Sequence, residues 1–174
     1  MSRGMKRMRE WDVRLFRLFN DKIRNALLDR LLRLITHLGG AAFTIAVPLT
    51  VALLAPAPWS RVGWQSLAAL SASFLIGFAA KRLLKRQRPY LALPDANLLI
   101  KSLRDSSFPS GHTTAAFSVV VPFAAAASWA ACVVLPAAAL IAVSRVYLGV
   151  HYPSDCAVGC LLGSTAALLS VQLF

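Results

Sequence analysis

Apolar residues in this chain follow two patterns. In the first stretch, Trp11, Leu15, Leu18, Phe19, Ile23, Leu27, Leu31 and Leu34 recur at three- and four-residue steps, with Arg14, Arg17, Lys22, Arg24, Arg30 and Arg33 between them. That spacing predicts one amphipathic helix, or two short ones, lying on a membrane surface. It does not predict a span, because each central Arg costs about 2.5–3.5 kcal/mol on insertion. After Gly39-Gly40 the pattern changes to long runs almost free of charge: Ala41–Ala57, Val62–Ala80, Thr113–Trp129, Ala130–Val143 and Ala157–Phe174. With their flanks, several approach the ~20 residues a helix needs to cross a bilayer. The expected fold class is all-α: an integral membrane bundle of about five transmembrane helices preceded by an amphipathic surface helix.

Breaks and flanks sharpen this division. Residues 1–10 read as a basic tail, and no uninterrupted apolar stretch follows to make a signal peptide. Residues 1–36 form tail and surface helix, and 37–174 a single transmembrane domain. Pro56 and Pro58 mark the first turn, with Trp59 and Trp64 at interfacial depth. A tight turn near Ser128 joins the third and fourth spans. Pro48, Pro122 and Pro136 fall inside spans, where bundles tolerate them. Gly159 and Gly163 in the last span have the spacing that permits close helix packing, although small-residue composition alone would also give it.

Composition changes the picture only in part. Of 174 residues, 57% are hydrophobic, which excludes an ordinary soluble domain. The net charge of +12 would suggest nucleic acid in a soluble protein. Here the charges avoid the spans, so they are assigned to anionic headgroups and the lipid bilayer, with no nucleic-acid partner. Cys132, Cys156 and Cys160 lie in or beside apolar spans without a zinc-binding pattern and read as packing residues.

The five-span topology brings polar residues together. One loop joins the end of the second span to the start of the third, and a hairpin returns the fourth span to the same face. Lys81, Arg88, Ser110, His112, Arg145, His151 and Asp155 therefore converge, while the opposite face offers only Arg61. Three cations, a hydroxyl and a backbone turn suit a phosphate. Gly111 lets the backbone approach a ligand, and a helix starting there aims its free N–H groups at the same place. Two histidines add a nucleophile and an acid, and a carboxylate can fix the tautomer of one. No Asp/Glu cluster exists to hold magnesium or calcium, so the implied chemistry is metal-free phosphoryl transfer without a cofactor. Singly, each residue has a plainer role: Lys81 and Arg88 can snorkel, Ser110 can cap a helix, and Ser154 or Asp155 can cap the last one.

The spacing resembles a known signature. "KRLLKRQRP" is Lys81, six residues, then Arg88-Pro89; "PSGH" is Pro109–His112; "SRVYLGVHYPSD" is Ser144-Arg145, five residues, His151, three residues, Asp155. These three parts are similar to those of the type 2 phosphatidic acid phosphatase superfamily, shared with vanadium haloperoxidases and bacterial acid phosphatases. The resemblance implies that His151 attacks phosphorus to form a phosphohistidine, Asp155 orients it, and His112 protonates the leaving oxygen. It implies that Lys81, Arg88, Ser110, Gly111 and Arg145 hold the phosphoryl oxygens. Many membrane relatives have six spans, and here a basic amphipathic helix stands where the extra one would be.

The expectation is a lipid phosphate phosphatase of a bacterial inner membrane, acting on polyprenyl (undecaprenyl) diphosphate. The alternatives are a phosphatidylglycerophosphate or phosphatidic acid phosphatase, a non-catalytic protein that binds or transports lipid phosphates, and a vanadate-dependent haloperoxidase. Every one of the 19 Lys and Arg except Arg61 falls on the site's side, which by the positive-inside rule favours a cytoplasmic site, whereas the family resemblance favours the outer side. The oligomeric state is left open.

Overall fold

The computed structural model describes residues 3–174, with the side chains of residues 3, 5 and 6 left out. Every regular element among the described residues is helical. Two basic helices come first, α1 (Arg3–Arg17), continued by a wider turn to Lys22, and α2 (Ala26–Ile35). The break between them falls at Asn25, whose side chain accepts the Leu28 N–H and so caps α2. Of the tail expected over 1–10, residues 1–2 lie outside the described residues, and the rest is the start of α1 rather than a separate segment. A tight turn, Thr36–Gly39, leads into α3 (Ala41–Leu54).

The remaining elements are α4 (Trp59–Leu84), the single turn α5 (Pro89–Ala92), α6 (Gly111–Ala126), α7 (Ser128–Tyr147) and α8 (Pro153–Leu173). By length and composition, the stretch Trp59–Ala92 containing α4, together with α7 and α8, is long and apolar enough to cross a membrane. A fourth span is added if Ala26–Gly39 and Ala41–Leu54, bent by 52° to one another, count as one. Five spans were expected, and the difference lies in helix length. At about 1.5 Å per residue, α6 with its 16 residues rises about 24 Å, short of the ~30 Å hydrocarbon core. The turn expected near Ser128 is a single extended residue, Ala127.

Many large apolar side chains point outward, among them Phe74 (64% exposed), Leu75 and Leu161, as lipid-facing helices require. The inside of the bundle is small and polar instead. Ser73 and Ser118 share a 2.8 Å hydrogen bond between α4 and α6, and the hydroxyls of Ser66 and Ser170 donate to the Val119 and Gln65 carbonyls. α1 turns a mixed face inward, Asp12, Phe16 and Asn20 at four-residue steps, while Met8, Trp11, Leu15 and Leu18 remain exposed.

α6 sits at the centre, against both α8 and α4. The glycine pair on α8 makes that contact possible. A methyl group at Gly159 would lie 2.9 Å from the Ser110 carbonyl oxygen, and one at Gly163 would collide with that of Thr114. Both obstacles are backbone atoms that no rotamer change can move. Gly163→Ala is therefore expected to destabilise the detergent-solubilised protein by about 1–3 kcal/mol. A thermal-unfolding midpoint equal to the parent's would show that α6 and α8 do not pack in this way.

Candidate active site

Lys81 lies on α4, one turn before the helix ends at Lys85 in a left-handed conformation (φ 43°). Arg88 follows in extended backbone, held against a loop that returns over it. Ser107 N–H donates to the Arg86 carbonyl (2.9 Å), and Tyr90 and Leu103 are joined by the tyrosine hydroxyl. The chain then reaches Ser110, the N-cap of α6 by position. The serine hydroxyl makes no capping bond, contrary to the sequence expectation; it accepts instead from the Thr113 hydroxyl at 3.0 Å. Gly111 opens α6 with empty space where a side chain would stand.

The second strip of the site comes from α7 and the short turn after it. Arg145 is in the last turn of α7, and the N–H groups of Val150 and His151 both point back to its carbonyl, at 3.2 and 3.3 Å. Gly149 makes this reversal possible. Its φ is +86°, and any side chain there would strike the Asn97 carbonyl. α8 begins two residues after His151. Asp155 accepts the Tyr152 N–H at 2.8 Å, so the carboxylate caps α8 while also facing His151. Ser154, the rival cap, bonds to Asp12 of α1 instead.

The structure brings the expected residues together. Lys81, Arg88, Gly111, His112, Arg145 and His151 line one cavity of about 800 Å³. Ser110 and Asp155 stand behind that wall, fully buried. The cavity continues along the apolar side of α4 past Phe78 and Phe74 to Leu70.

The donors and acceptors define the state of the site. Arg88 is 2% exposed and all five of its N–H donors are engaged. Nε donates to the Asp105 carbonyl (2.8 Å). Nη1 donates to the Val150 carbonyl (2.8 Å) and to His151 Nε2 (3.2 Å), and Nη2 to Asp105 Oδ1 (2.7 Å) and the Ser106 carbonyl (3.3 Å). A guanidinium can only donate, so His151 Nε2 presents its lone pair and the ring proton belongs on Nδ1, 3.6 Å from Asp155 Oδ2. At that distance the carboxylate acts on Nδ1 through its charge rather than through a hydrogen bond. Burial pushes the His151 pKa down to about 4; Asp155 pulls the other way, and the Arg145 and Arg88 cations add to the depression. The imidazole is therefore neutral at pH 7.

Arg145 donates through Nη1 to the Thr36 hydroxyl (2.7 Å), and its buried Nε has no partner among the described residues. His112 likewise makes no hydrogen bond among the described residues and is left open toward the cavity.

Sequence reasoning missed four neighbours of this cluster. Asp105 bridges Lys81 (2.9 Å) and Arg88 (2.7 Å). Burial raises its pKa, but hydrogen bonds and charge from those two cations outweigh that and hold it at about 2. Arg86 reaches Asp155 Oδ1 (2.6 Å), Ser107 donates to Asp155 Oδ2, and Thr36 receives Arg145. Ser107 and Asp105 stand beside PSGH in the sequence, but nothing in their spacing tells which way they face. Thr36 gives no signal at all.

Known proteins place this arrangement. LpxE of Aquifex aeolicus superposes with a TM-score of 0.84 at 27% identity, covering 92% of this chain and 94% of that one. A transmembrane PAP2-type phosphatidylglycerolphosphate phosphatase from Bacillus subtilis superposes with a TM-score of 0.78 at 25% identity, over 99% and 87%. The undecaprenyl-diphosphatase of Sulfolobus acidocaldarius is 29% identical over 94% of this chain and 78% of its own. The decaprenylphosphoryl-5-phosphoribose phosphatase of Mycobacterium tuberculosis is 36% identical over 70% and 68%. The family model described as PAP2 superfamily matches residues 62–174, and with it the sequence, the helical bundle and the buried His–Asp–Arg cluster lead to one conclusion: this chain belongs to the PAP2 superfamily and is an integral membrane phosphatase.

Proposed function

We propose that the chain hydrolyses a polyprenyl diphosphate in a bacterial inner membrane, without a metal, through a phosphohistidine on His151. The observation that carries this reading is the neutral His151, with its Nε2 lone pair turned toward Arg88 at the wall of the cavity and its Nδ1 toward Asp155. In the reaction, Nε2 forms a bond to phosphorus as the bond to the leaving oxygen breaks. His112 gives that oxygen its proton. Asp155 stabilises the positive charge that appears on the imidazole ring. Water then attacks phosphorus, His112 takes a proton from it, and the N–P bond breaks to restore His151. Lys81, Arg88 and Arg145 supply the positive charge that the equatorial oxygens need, with Ser110 and the Gly111 backbone beside them.

Three of the four relatives carry the name of a lipid phosphatase or diphosphatase; the choice of lipid rests on finer support. The Sulfolobus relative is named for undecaprenyl diphosphate, and the α4 side of the cavity presents Leu70, Phe74 and Phe78 at four-residue steps, with Leu91, Leu103, Pro109 and Ala115 adding apolar lining from other elements. A stripe of this length along one helix suits a long chain. The Bacillus neighbour's name supports phosphatidylglycerophosphate as the second reading. We further read α3, α4, α6, α7 and α8 as five crossings of residues 37–174, with α1 and α2 at the interface on the site's side. The outward Met8, Trp11, Leu27 and Leu34 of those two helices support this.

Purified protein in detergent with EDTA is expected to release phosphate from undecaprenyl diphosphate faster than from phosphatidic acid or phosphatidylglycerophosphate. His151→Ala is expected to lower that rate at least about a thousandfold. A rate that needs added magnesium, or survives His151→Ala, overturns the mechanism. A panel led by a glycerolipid overturns the substrate.

The His151 pKa gives a second check. Its imidazole is expected to titrate near 4, so the nucleophile stays available as pH falls from 7 to 5 and is lost only below that; an NMR titration midpoint near the ordinary 6.5 would contradict it.

Asp105 gives a third. The phosphate must take donors from Arg88 and Lys81 that Asp105 now holds. Asp105→Asn removes a charged competitor and is expected to lower the inhibition constant of inorganic phosphate about tenfold, a change of ~1.4 kcal/mol. Weaker inhibition would show that the carboxylate orients the cations for phosphate instead.

A further inference from the structure

Asp155 is the group that fixes His151, and its own fixing reaches back to the first helix. The Asp155 carboxylate is completely buried. Its Oδ2 is taken by the Ser107 hydroxyl and the Tyr152 N–H, and its Oδ1 by Arg86 Nη1 at 2.6 Å. Arg86 is the only cation that touches it among the described residues, and that guanidinium is 28% exposed, with a route to solvent. Three contacts keep it from leaving. Its charged end lies 4.3 Å above the Tyr152 ring, Nη1 also donates to the Ser154 hydroxyl (2.8 Å), and Nη2 donates to Asp12 Oδ2 (2.7 Å).

Asp12 is placed for this task. It is 5% exposed in the middle of α1, where a carboxylate is costly unless matched. Both its oxygens are used: Oδ1 accepts the Ser154 N–H at 2.9 Å, and Oδ2 accepts from Arg86 and the Ser154 hydroxyl. Phe16, one turn further along α1, packs against Tyr152, with ring centroids 5.9 Å apart. The order His151, Asp155, Arg86, Asp12 thus runs from the cavity to α1: a neutral imidazole faces Asp155 at 3.6 Å, and the three groups that follow alternate in charge and touch directly. It ends 50 residues before the region matched by the family model, which starts at residue 62.

We propose that Asp12 is a positioning residue for the reaction: it holds Arg86 on Asp155 and shares the arginine's charge, so that Asp155 keeps its place and its negative charge for His151. α1 is then part of the catalytic apparatus and not only a membrane anchor. This rests on the reading of His151 as nucleophile and of Asp155 as its partner. The rival account is that Asp12 merely clamps α1 to the start of α8 through Ser154.

Activity, affinity and coupling separate the two. In the full-length protein, Asp12→Asn keeps the size and an oxygen for the Ser154 N–H but removes the charge and the second acceptor, the one that Arg86 and the Ser154 hydroxyl share. It is expected to lower kcat about tenfold at unchanged KM, with Arg86→Gln giving a similar loss. In an Asp155→Asn background, the further effect of Asp12→Asn is expected to shrink to less than about twofold, because the path it acts through is already cut. Asp12→Glu, which retains the charge, is expected to recover most of the lost kcat. The proposal is overturned if Asp12→Asn lowers only the unfolding temperature at parental kcat. It is also overturned if the change falls on KM, or if the same loss of kcat appears with and without Asp155. His151→Ala, measured alongside, tests the underlying reading by itself: if that variant stays active, the site assignment fails whatever Asp12 does.

Discussion

A carboxylate without solvent is the constraint on which this end of the bundle depends. Asp155 has no exposure, and a buried charge persists only when its lone pairs are matched. Arg86 and Ser107 from the loop and the Tyr152 N–H from the start of α8 meet that demand, and the Asp155 carbonyl in turn accepts the Ser110 N–H at 3.0 Å. One residue thereby ties the loop after α4, the first turn of α6 and the first turn of α8. It also fixes which way His151 faces. The oxygen that caps α8 is also the one that faces His151.

The cations carry the opposite problem. Arg88 and Arg145 are each only 2% exposed beside apolar helices, and neither has a full carboxylate partner within the bundle. Arg88 is satisfied by carbonyl oxygens of the loops around it, by His151 and by Asp105, which is half-exposed and comes from the solvent side. Arg145 donates to Thr36, and its buried Nε has no partner among the described residues. Positive charge held by backbone carbonyls and a displaceable carboxylate is poised for an anion. On the function proposed above, an entering phosphate takes the place of Asp105 on Arg88, one negative partner for another, and Arg88 is not desolvated again.

Much of this was legible in the sequence, and the reason is chemical. Long runs without charge specify helices in lipid, and Lys81, Arg88, Arg145, His151 and Asp155 stand out because charge is expensive next to such runs. Their convergence followed from loop connectivity alone. Three things did not follow. The inward face of α1 and of the wider turn after it is Asp12, Phe16 and Asn20, whereas Trp11, Leu15, Leu18, Ile23, Leu27, Leu31 and Leu34 of the periodic apolar set point outward. The hydroxyl of Ser110 accepts from the Thr113 hydroxyl and not from the helix end, while the Ser110 carbonyl receives the Thr114 N–H and hydroxyl. The partners of the charged residues, Asp105, Arg86 and Thr36, depend on loop paths that no periodicity encodes.

Helix length joins these observations to the membrane. α6 is short for a bilayer, and it begins at the site rather than at a surface turn. The cavity that starts beside its first turn runs along α4 from Lys81 to Leu70, eleven residues and so about 16 Å of helix. Its polar end holds Lys81, Arg88 and His151, and its far end holds only Leu70, Ser73 and Phe74. On the function proposed above, a phosphate at the polar end remains attached to a chain lying beside Phe78 and Phe74. The close approach of α8 at Gly159 and Gly163 sets α6 in that position, and the same approach brings Ser110 to Asp155. The packing that lets a short helix sit inside the bundle is thus the packing that assembles the site.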